Sequence, residues 1–562
     1  MRNQSRKTSS VVDTKLPREG TDAVVESRRG FLMLGGAAVV AGLVDACSGG
    51  SSVVHGSGGS PGSGGSGSGG TGSGGLFGSG GATGSGGATG SGGATGSGGA
   101  TGSGGATGSG GKPGAGGATG SGGATGSGGA TGSGGASGTG GKTGAGGASG
   151  TGGVSGTGGS GAGGSTGTDG GPVGTVKWPA EDTSAGICTV AAVPTMNNAK
   201  VPDPFKFFNG NRMATKEEWT CLRAELSAAL QKGVYGPKMP KPDTLTATYS
   251  GGKITLNMAV GSNKQTVTLT VTGGGSASSP KPGLITCGGS SLPLTGFATI
   301  NLDYNSWASE SDLSGYVKNL YESACAKSGA LIGWAWGCSR IIDALELCPD
   351  AGVDVKKIAV TGCSRCGKGA LAMGAFDERV ALTLMQEGGS GGSALWRVSS
   401  KEKSLGENIQ ECGEITGEAK WQGSDFKSYC STTCATLPCD QHFAVALCAP
   451  RAVLLIENDI DWLGPVAAYG GGVAGRKVFE ALGIKDRCGV TLRGSHTHCS
   501  FPSNQQADLD AFVNRFIKGQ TATTDIMVFS ATNTKLGSFK EADWIDWTIP
   551  TLTGNLPFDP FA

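Results

Sequence analysis

The chain is short of the features that mark several large classes of protein. Its 562 residues hold 44 basic and 43 acidic side chains, a formal net charge of +1, with no long run of either sign in the body. No basic patch stands out, which argues against a nucleic-acid partner. Beyond a short N-terminal run, no stretch approaches 18 consecutive apolar residues, too little to cross a bilayer core of about 30 Å. Histidine is scarce: His55, His442, His496 and His498 are the four in the chain. Any chemistry that needs an imidazole must choose among them.

What the chain has in excess is glycine, 110 residues, against a usual share of about 7%. Roughly 63 of these lie between Cys47 and Thr175, a tract whose only charges are Lys112, Lys142 and Asp169. From Gly78 the unit Gly-Ser-Gly-Gly-Ala-Thr recurs with a period of six. A period this short, without large apolar side chains, cannot stack into a solenoid or offset chain entropy. Residues 48–175 are therefore expected to be a disordered linker with a root-mean-square span of about 60–70 Å. Such a tether gives a folded head reach around an anchor.

Ahead of it, Ser27-Arg28-Arg29-Gly30-Phe31-Leu32-Met33 is a twin-arginine pattern followed by an apolar run over 35–44. The arrangement predicts an export signal over 1–47 that carries the protein across a membrane already folded. The run ends at Val44-Asp45-Ala46-Cys47, similar to a lipoprotein cleavage site, with Cys47 the residue to be lipidated. Asp45 departs from that pattern, and ordinary cleavage would give a soluble secreted product instead. The chain is thus expected outside the cell or on its outer-membrane surface, with a lipid anchor as its only membrane contact.

The body, 176–562, reads as α/β. Thr215 and Glu218 form a capping-box pair ahead of Trp219, Leu222, Leu226 and Leu230, which share one helical face. Strands are expected at 266–271, 298–302, 357–361, 380–385 and 453–456, and a helix over 331–347. Strands alternating with helices imply a mostly parallel sheet covered on both faces, a three-layer sandwich.

The sharpest local feature is Val360-Thr361-Gly362-Cys363-Ser364-Arg365-Cys366-Gly367-Lys368-Gly369-Ala370. A β-branched strand runs into a glycine-flanked serine and then into helix-forming residues, the context of a nucleophile elbow. The spacing is Gly-x-Ser-x-x-Gly rather than Gly-x-Ser-x-Gly, so an ordinary strand–turn–helix with a solvated serine is the alternative. A serine nucleophile needs a base, and Gly494-Ser495-His496-Thr497-His498-Cys499 follows a short strand late in the chain, where an α/β-hydrolase carries its histidine. His496 and His498 could instead ligate a metal, but no third ligand has suitable spacing, and no metal or cofactor is expected. The acid should end a strand between serine and histidine. Glu387, after the apolar strand at 380–385, qualifies, and so do Asp459 and Asp461 after 453–456.

Taken together, 362–369, Gln386-Glu387, Glu457-Asn-Asp-Ile-Asp-Trp-Leu-Gly-Pro465 and His496-Thr-His-Cys-Ser-Phe-Pro502 resemble the glucuronoyl esterases of carbohydrate esterase family 15, over about 188–550. The resemblance implies an α/β-hydrolase fold and hydrolysis of the ester between 4-O-methyl-glucuronic acid of glucuronoxylan and a lignin alcohol. It implies Ser364 as nucleophile, His498 as base, Glu387 as acid and Arg365 as the oxyanion-stabilising arginine. Lys368, Gln410, Glu418 and Trp462 fall on positions that contact the uronate sugar, although Lys368 on a helix surface could equally be solvated. Disulfides Cys188–Cys221 and Cys363–Cys499 are implied as well, the second pinning the serine and histidine loops together. Cys363-Ser-Arg-Cys366 also has redox Cys-x-x-Cys spacing, but an exported, cysteine-rich chain favours structural bridges.

Departures accompany the resemblance. Leu395 stands where fungal relatives carry a cysteine, so one family bridge is not expected. Cys412, Cys430, Cys434, Cys439 and others are extra, and the cluster of Cys430, Cys434 and Cys439 could staple a loop near the sugar site. With Cys47 lipidated, 15 of the 16 cysteines remain, an odd number that leaves a thiol over. The expected protein is a monomeric, tethered serine esterase acting on lignin–carbohydrate esters. An acetyl xylan or feruloyl esterase on the same fold is the alternative within enzymes. A non-catalytic carbohydrate-binding surface lipoprotein is the alternative outside them.

Overall fold

The computed structural model describes residues 179–562 except Asn533. The expected export signal with Cys47, the expected linker over 48–175 and residues 176–178 lie outside the described residues.

Ten strands make one sheet: β1 (Thr244–Ser250), β2 (Lys253–Val260), β3 (Asn263–Thr272), β4 (Lys281–Cys287), β5 (Ala298–Leu302), β6 (Val353–Cys363), β7 (Val380–Gln386), β8 (Ala452–Glu457), β9 (Cys488–Leu492) and β10 (Met527–Phe529). Their spatial order is β10-β9-β8-β7-β6-β4-β5-β3-β2-β1. Strands β4 to β10 pair in parallel, and β1, β2 and β3 form an antiparallel meander joined to them through β3 and β5.

Local chemistry explains both halves. Paired Ser250 and Lys253 are linked by Gly251 and Gly252 at φ 57° and 78°, the two positive dihedrals that a two-residue hairpin needs. In β3, Val267, Leu269 and Val271 are buried while Thr266, Thr268 and Thr270 face water, so one face packs and the other is solvated. Strands β7, β8 and β9 are buried from end to end, as parallel strands covered on both sides must be. Along β8, Val453 and Leu455 join one core and Leu454 and Ile456 the other.

The first core is closed by helices α1 (Trp219–Leu230), α2 (Ala330–Leu347) and α3 (Arg365–Phe376), the second by Leu509, Phe512 and Phe516 of a late helix, Gln506–Phe516. At the start of α1 the Glu218 carboxylate accepts the Ala214 and Thr215 N–H groups at 2.8 Å each, the acid half of the expected capping box. All four of its expected core residues are buried. The expected strands fall within β3 and β5 to β8, and the three-layer α/β-hydrolase arrangement is present. Strand β4 gave no signal of its own, because Pro282 lacks an N–H and the register against β6 shifts beside it.

The parallel strands end along one edge of the sheet, where an α/β fold gathers its functional groups. Ser364 follows β6, Glu387 follows β7, Glu457 ends β8, and the segment carrying His498 follows β9.

Candidate active site

Ser364 occupies the turn between β6 and α3 at φ 61°, ψ −125°, a strained conformation for a residue with a side chain. The turn is held by Ser364 N–H donating to the Gln386 carbonyl (3.0 Å) and Lys368 N–H donating to the Ser364 carbonyl (2.9 Å). The flanking glycines are required by close approach. A Cβ on Gly362 would lie 2.5 Å from the Cys366 carbonyl oxygen, and one on Gly367 would lie 2.2 Å from the Gln386 carbonyl oxygen. On the neighbouring strand, Glu387 leaves β7 at φ 46° and is fully buried.

His498 Nδ1 lies 2.7 Å from Glu387 Oε2. An ionised carboxylate can only accept, so this contact calls for a proton on Nδ1, and in the neutral ring that tautomer leaves the lone pair on Nε2. Nε2 is buried and has no hydrogen-bond partner among the described residues. The same Glu387 oxygen accepts the Cys499 N–H (3.0 Å) and the Asn458 amide (3.2 Å). His496 approaches the same carboxylate less closely, its Nδ1 lying 3.8 Å from Glu387 Oε1 and 3.2 Å from the Asn458 amide, and its Nε2 lies 3.0 Å from the Arg493 carbonyl oxygen. Asp459 accepts Ser495 N–H, and Asp461 accepts Trp462 N–H. Neither is hydrogen-bonded to a histidine among the described residues. His442 is remote and fully buried, its ring against the Pro202 carbonyl, and loss of solvent pulls its pKa down to about 4.

A disulfide joins Cys363 to Cys499 across 5.7 Å between Cα atoms. It ties the residue before Ser364 to the residue after His498. Cys363, His498 and Cys499 are also the one grouping among the described residues close enough to share a metal ion, but the bridge consumes both sulfurs. That bond likewise takes Cys363 out of any Cys-x-x-Cys couple with Cys366.

Arg365 opens α3, and its Nη1 lies 2.5 Å from Glu310 Oε1. Trp421 donates its indole N–H to the other Glu310 oxygen and turns its face to two cations, Arg365 at 6.0 Å and Lys368 at 5.2 Å. Lys368 is 2% exposed, its ammonium donating to the Gly388 carbonyl (2.8 Å). The Trp421 ring and the loop carrying Gly388 and Gly391 lie against this lysine, and the solvated alternative does not hold. Gln410 donates to both Glu418 oxygens (2.7 and 3.0 Å) and through its main chain to the Trp462 carbonyl (3.1 Å). The Trp462 ring stands edge-on to His498 with centroids 4.7 Å apart. Arg365 and Lys368 thus meet on Trp421, and Glu418, Gln410, Trp462, His498 and Glu387 are joined in turn, while Ser364 is tied through its main chain to Lys368 and Gln386.

Four features were not foreseen. Glu310 and Trp421 come from distant loops, and only Trp421, three residues past Glu418, had a neighbour to signal it. Gln422 is buried beside the Lys368 stem with neither amide atom partnered among the described residues. Glu457 is fully buried, accepts the Ser393 hydroxyl at 2.6 Å, and has its pKa pushed up to about 8 by desolvation and the nearby Glu387 charge. Finally, Cys412 pairs with Cys430, stapling the segment that carries Glu418, Trp421 and Gln422, whereas the Cys188–Cys221 bridge is the one the resemblance implied. Cys434 and Cys439 are buried outside any bridge, and Leu395 fills its site with buried aliphatic side chain.

Comparison with known proteins gives this constellation a context. A family model described as "Glucuronyl esterase, fungi" matches residues 256–483. The 4-O-methyl-glucuronoyl methylesterase of Hypocrea jecorina is 44% identical over 382 residues, 66% of this chain and 81% of that protein. Its counterpart from Cerrena unicolor is 42% identical over 386 residues, 66% of this chain and 80% of that protein. Among solved structures, the glucuronoyl esterase catalytic domain of Hypocrea jecorina aligns with a TM-score of 0.61 at 42% identity, covering 64% of this chain and 99% of that one. A serine-to-alanine variant from Sporotrichum thermophile, solved with methyl 4-O-methyl-β-D-glucopyranuronate, aligns with a TM-score of 0.61 at 35% identity, covering 65% and 99%. An elbow serine, a histidine on a buried glutamate and this likeness over most of the relatives' length lead to one conclusion: the chain belongs to the glucuronoyl esterases, a family of carboxylic ester hydrolases.

Proposed function

We propose that Ser364, His498 and Glu387 hydrolyse the ester that links 4-O-methyl-D-glucuronic acid of glucuronoxylan to a lignin alcohol. The observation that carries the reading is the 2.7 Å bond between His498 and the fully buried Glu387, beside an elbow serine. Ser364 Oγ attacks the uronate carbonyl carbon while His498 Nε2 takes its proton. Glu387 holds the ring in the required tautomer and stabilises the imidazolium. The tetrahedral oxyanion forms next to the N-terminus of α3 and the Arg365 guanidinium, two sources of positive potential in place before the reaction. Collapse breaks the bond to the alcohol oxygen, which leaves with the proton held on His498. Water, deprotonated by the same nitrogen, then releases the uronic acid from Ser364.

On the sugar side, Lys368, Gln410 and Glu418 supply donors and acceptors for hydroxyls, and Trp462 an apolar face. The relative solved with a methyl 4-O-methyl-glucuronate supports that choice of acyl group. For the chain as a whole, the twin-arginine pattern at 27–33 supports export, and Cys47 with the linker over 48–175 supports a tethered head rather than a free one.

The test is hydrolysis of benzyl glucuronate by the full chain and by Ser364→Ala, with acetylated xylan as a second substrate. Uronate turnover that vanishes in the variant is the expected result. Turnover of the acetyl substrate alone would give the site to an acetyl xylan esterase. No turnover of either by folded protein would overturn the catalytic reading.

A further inference from the structure

Arg365 cannot serve a developing oxyanion unless its guanidinium is held still. The side chain leaves the first residue of α3, at the lip of the site, and is 14% exposed. Glu310, itself 16% exposed, meets it from a loop far from the elbow in sequence. We infer that Glu310 is a positioning residue, which aims the Arg365 guanidinium at the oxyanion and locks it to the segment that contacts the sugar. The inference rests on the proposed role of Arg365.

The geometry gives Glu310 two anchors of its own. One carboxylate oxygen takes Arg365 Nη1 and the other takes the Trp421 indole N–H, so the carboxylate bridges elbow and sugar segment. Its main-chain carbonyl accepts the Lys420 N–H at 2.7 Å, which ties the loop to the same segment a second time. The loop is closed on itself by Leu313 N–H to the Ser309 carbonyl (2.9 Å) and Ser309 N–H to the Ser314 carbonyl (2.7 Å), and is tied to the core by Trp334 donating to the Ala308 carbonyl (2.8 Å). A guanidinium is a planar fork of five N–H groups, so fixing one edge on a carboxylate sets the direction of the others. The Trp421 face beneath the cation limits tilt out of that plane.

Two effects of the carboxylate oppose each other, and the difference in sign makes the inference testable. As a countercharge, Glu310 weakens the positive potential that the oxyanion feels, and removing it would speed the reaction. As an anchor, it removes the motion of a long side chain before the reaction, and removing it would slow the reaction. A side chain that loses its aim by about an ångström forfeits on the order of tenfold to a hundredfold in rate, so positioning dominates.

The experiment is a double-mutant cycle on the full chain with Glu310→Gln and Arg365→Ala. Each protein is assayed on benzyl glucuronate and on p-nitrophenyl acetate, with thermal unfolding recorded. Glu310→Gln is expected to lower kcat roughly tenfold or more on both esters with KM little changed. In the Arg365→Ala background the same substitution is expected to change nothing, because a residue acting through Arg365 has nothing left to aim. An equal loss in both backgrounds, a loss that follows a fall in Tm, or an unchanged or faster kcat would each overturn the inference. Arg365→Ala with full activity would instead refute the oxyanion role on which it rests. An enzyme that turns over only the acetate would refute the uronate reading and leave Glu310 standing.

Discussion

Replacing Glu457 by glutamine should stabilise the protein at neutral pH, although the residue ends a central strand beside the acid of the proposed triad. The carboxyl is fully buried and its pKa is pushed up to about 8, mainly by desolvation, with the Glu387 charge adding to it. Ser393 donates to one oxygen, and the other has no partner among the described residues, which suits a carboxylic acid better than a carboxylate. Between pH 4.5 and 8 the unfolded chain ionises this group while the folded one keeps it protonated. The folded state therefore binds the extra proton, and its stability falls as pH rises through that window. The loss is about 5 kcal/mol over the whole range, of which about 3 kcal/mol has gone by pH 7, and it levels off above pH 8. Glu457→Gln keeps an oxygen for Ser393 and an N–H where the acid carries its proton, without the ionisation. Urea unfolding of both proteins at pH 5 and pH 8 should show the parent losing about 4 kcal/mol more than the variant between the two. Glu402, likewise pushed up to about 8 by burial and Glu407, and His442 titrate in both proteins and cancel from the difference. A stability difference between the proteins that is the same at both pH values would refute the reasoning.

Gly367→Ala should cost more activity than stability. The added methyl meets the Gln386 carbonyl that also anchors Ser364 N–H, so relief of a clash worth about 1–3 kcal/mol displaces the nucleophile, read as kcat against Tm. Serine pairs in place of the bridges should separate two roles. Losing Cys412–Cys430, 18 residues apart, should cost about 3 kcal/mol in urea unfolding and raise KM for the uronate substrate. Losing Cys363–Cys499, 136 apart, should cost about 5 kcal/mol and most of kcat.

The elbow could be read from residues because its signals are local: a β-branched strand, two small residues where backbones touch, and a helix-forming stretch. The scarcity of histidine narrowed the base to two neighbours before any fold was known. What could not be read was set by register. Glu387 and the pair Asp459 and Asp461 all follow apolar strands, and sequence offers no means of ranking carboxylates on parallel neighbours. The pairing of Gln386 with Ile456 puts Glu387 next to β8, and Asn458 and Cys499 then converge on it. Burial of Lys368 depended on Trp421 and the loop after β7 coming to lie against it, a tertiary fact with no local trace. Glu310 reaches Arg365 across 55 positions and carries no motif. The Cys412–Cys430 pairing was one of several that the extra cysteines allowed.

The bridges and the thiols around them also set the order in which this chain must mature. Cys338, Cys439 and Cys488 are fully buried, and desolvation pushes each thiol far above its ordinary pKa. Once the core has closed, the thiolate needed for disulfide exchange is scarce at these positions. Before it closes, the fifteen cysteines after Cys47 compete on nearly equal terms. Oxidation of the open chain would then trap wrong partners inside the future core. Oxidation of the closed chain finds Cys363 facing Cys499, Cys188 facing Cys221 and Cys412 facing Cys430, with competing thiols shielded. The productive sequence of events is to fold in reducing surroundings and to meet the oxidant afterwards.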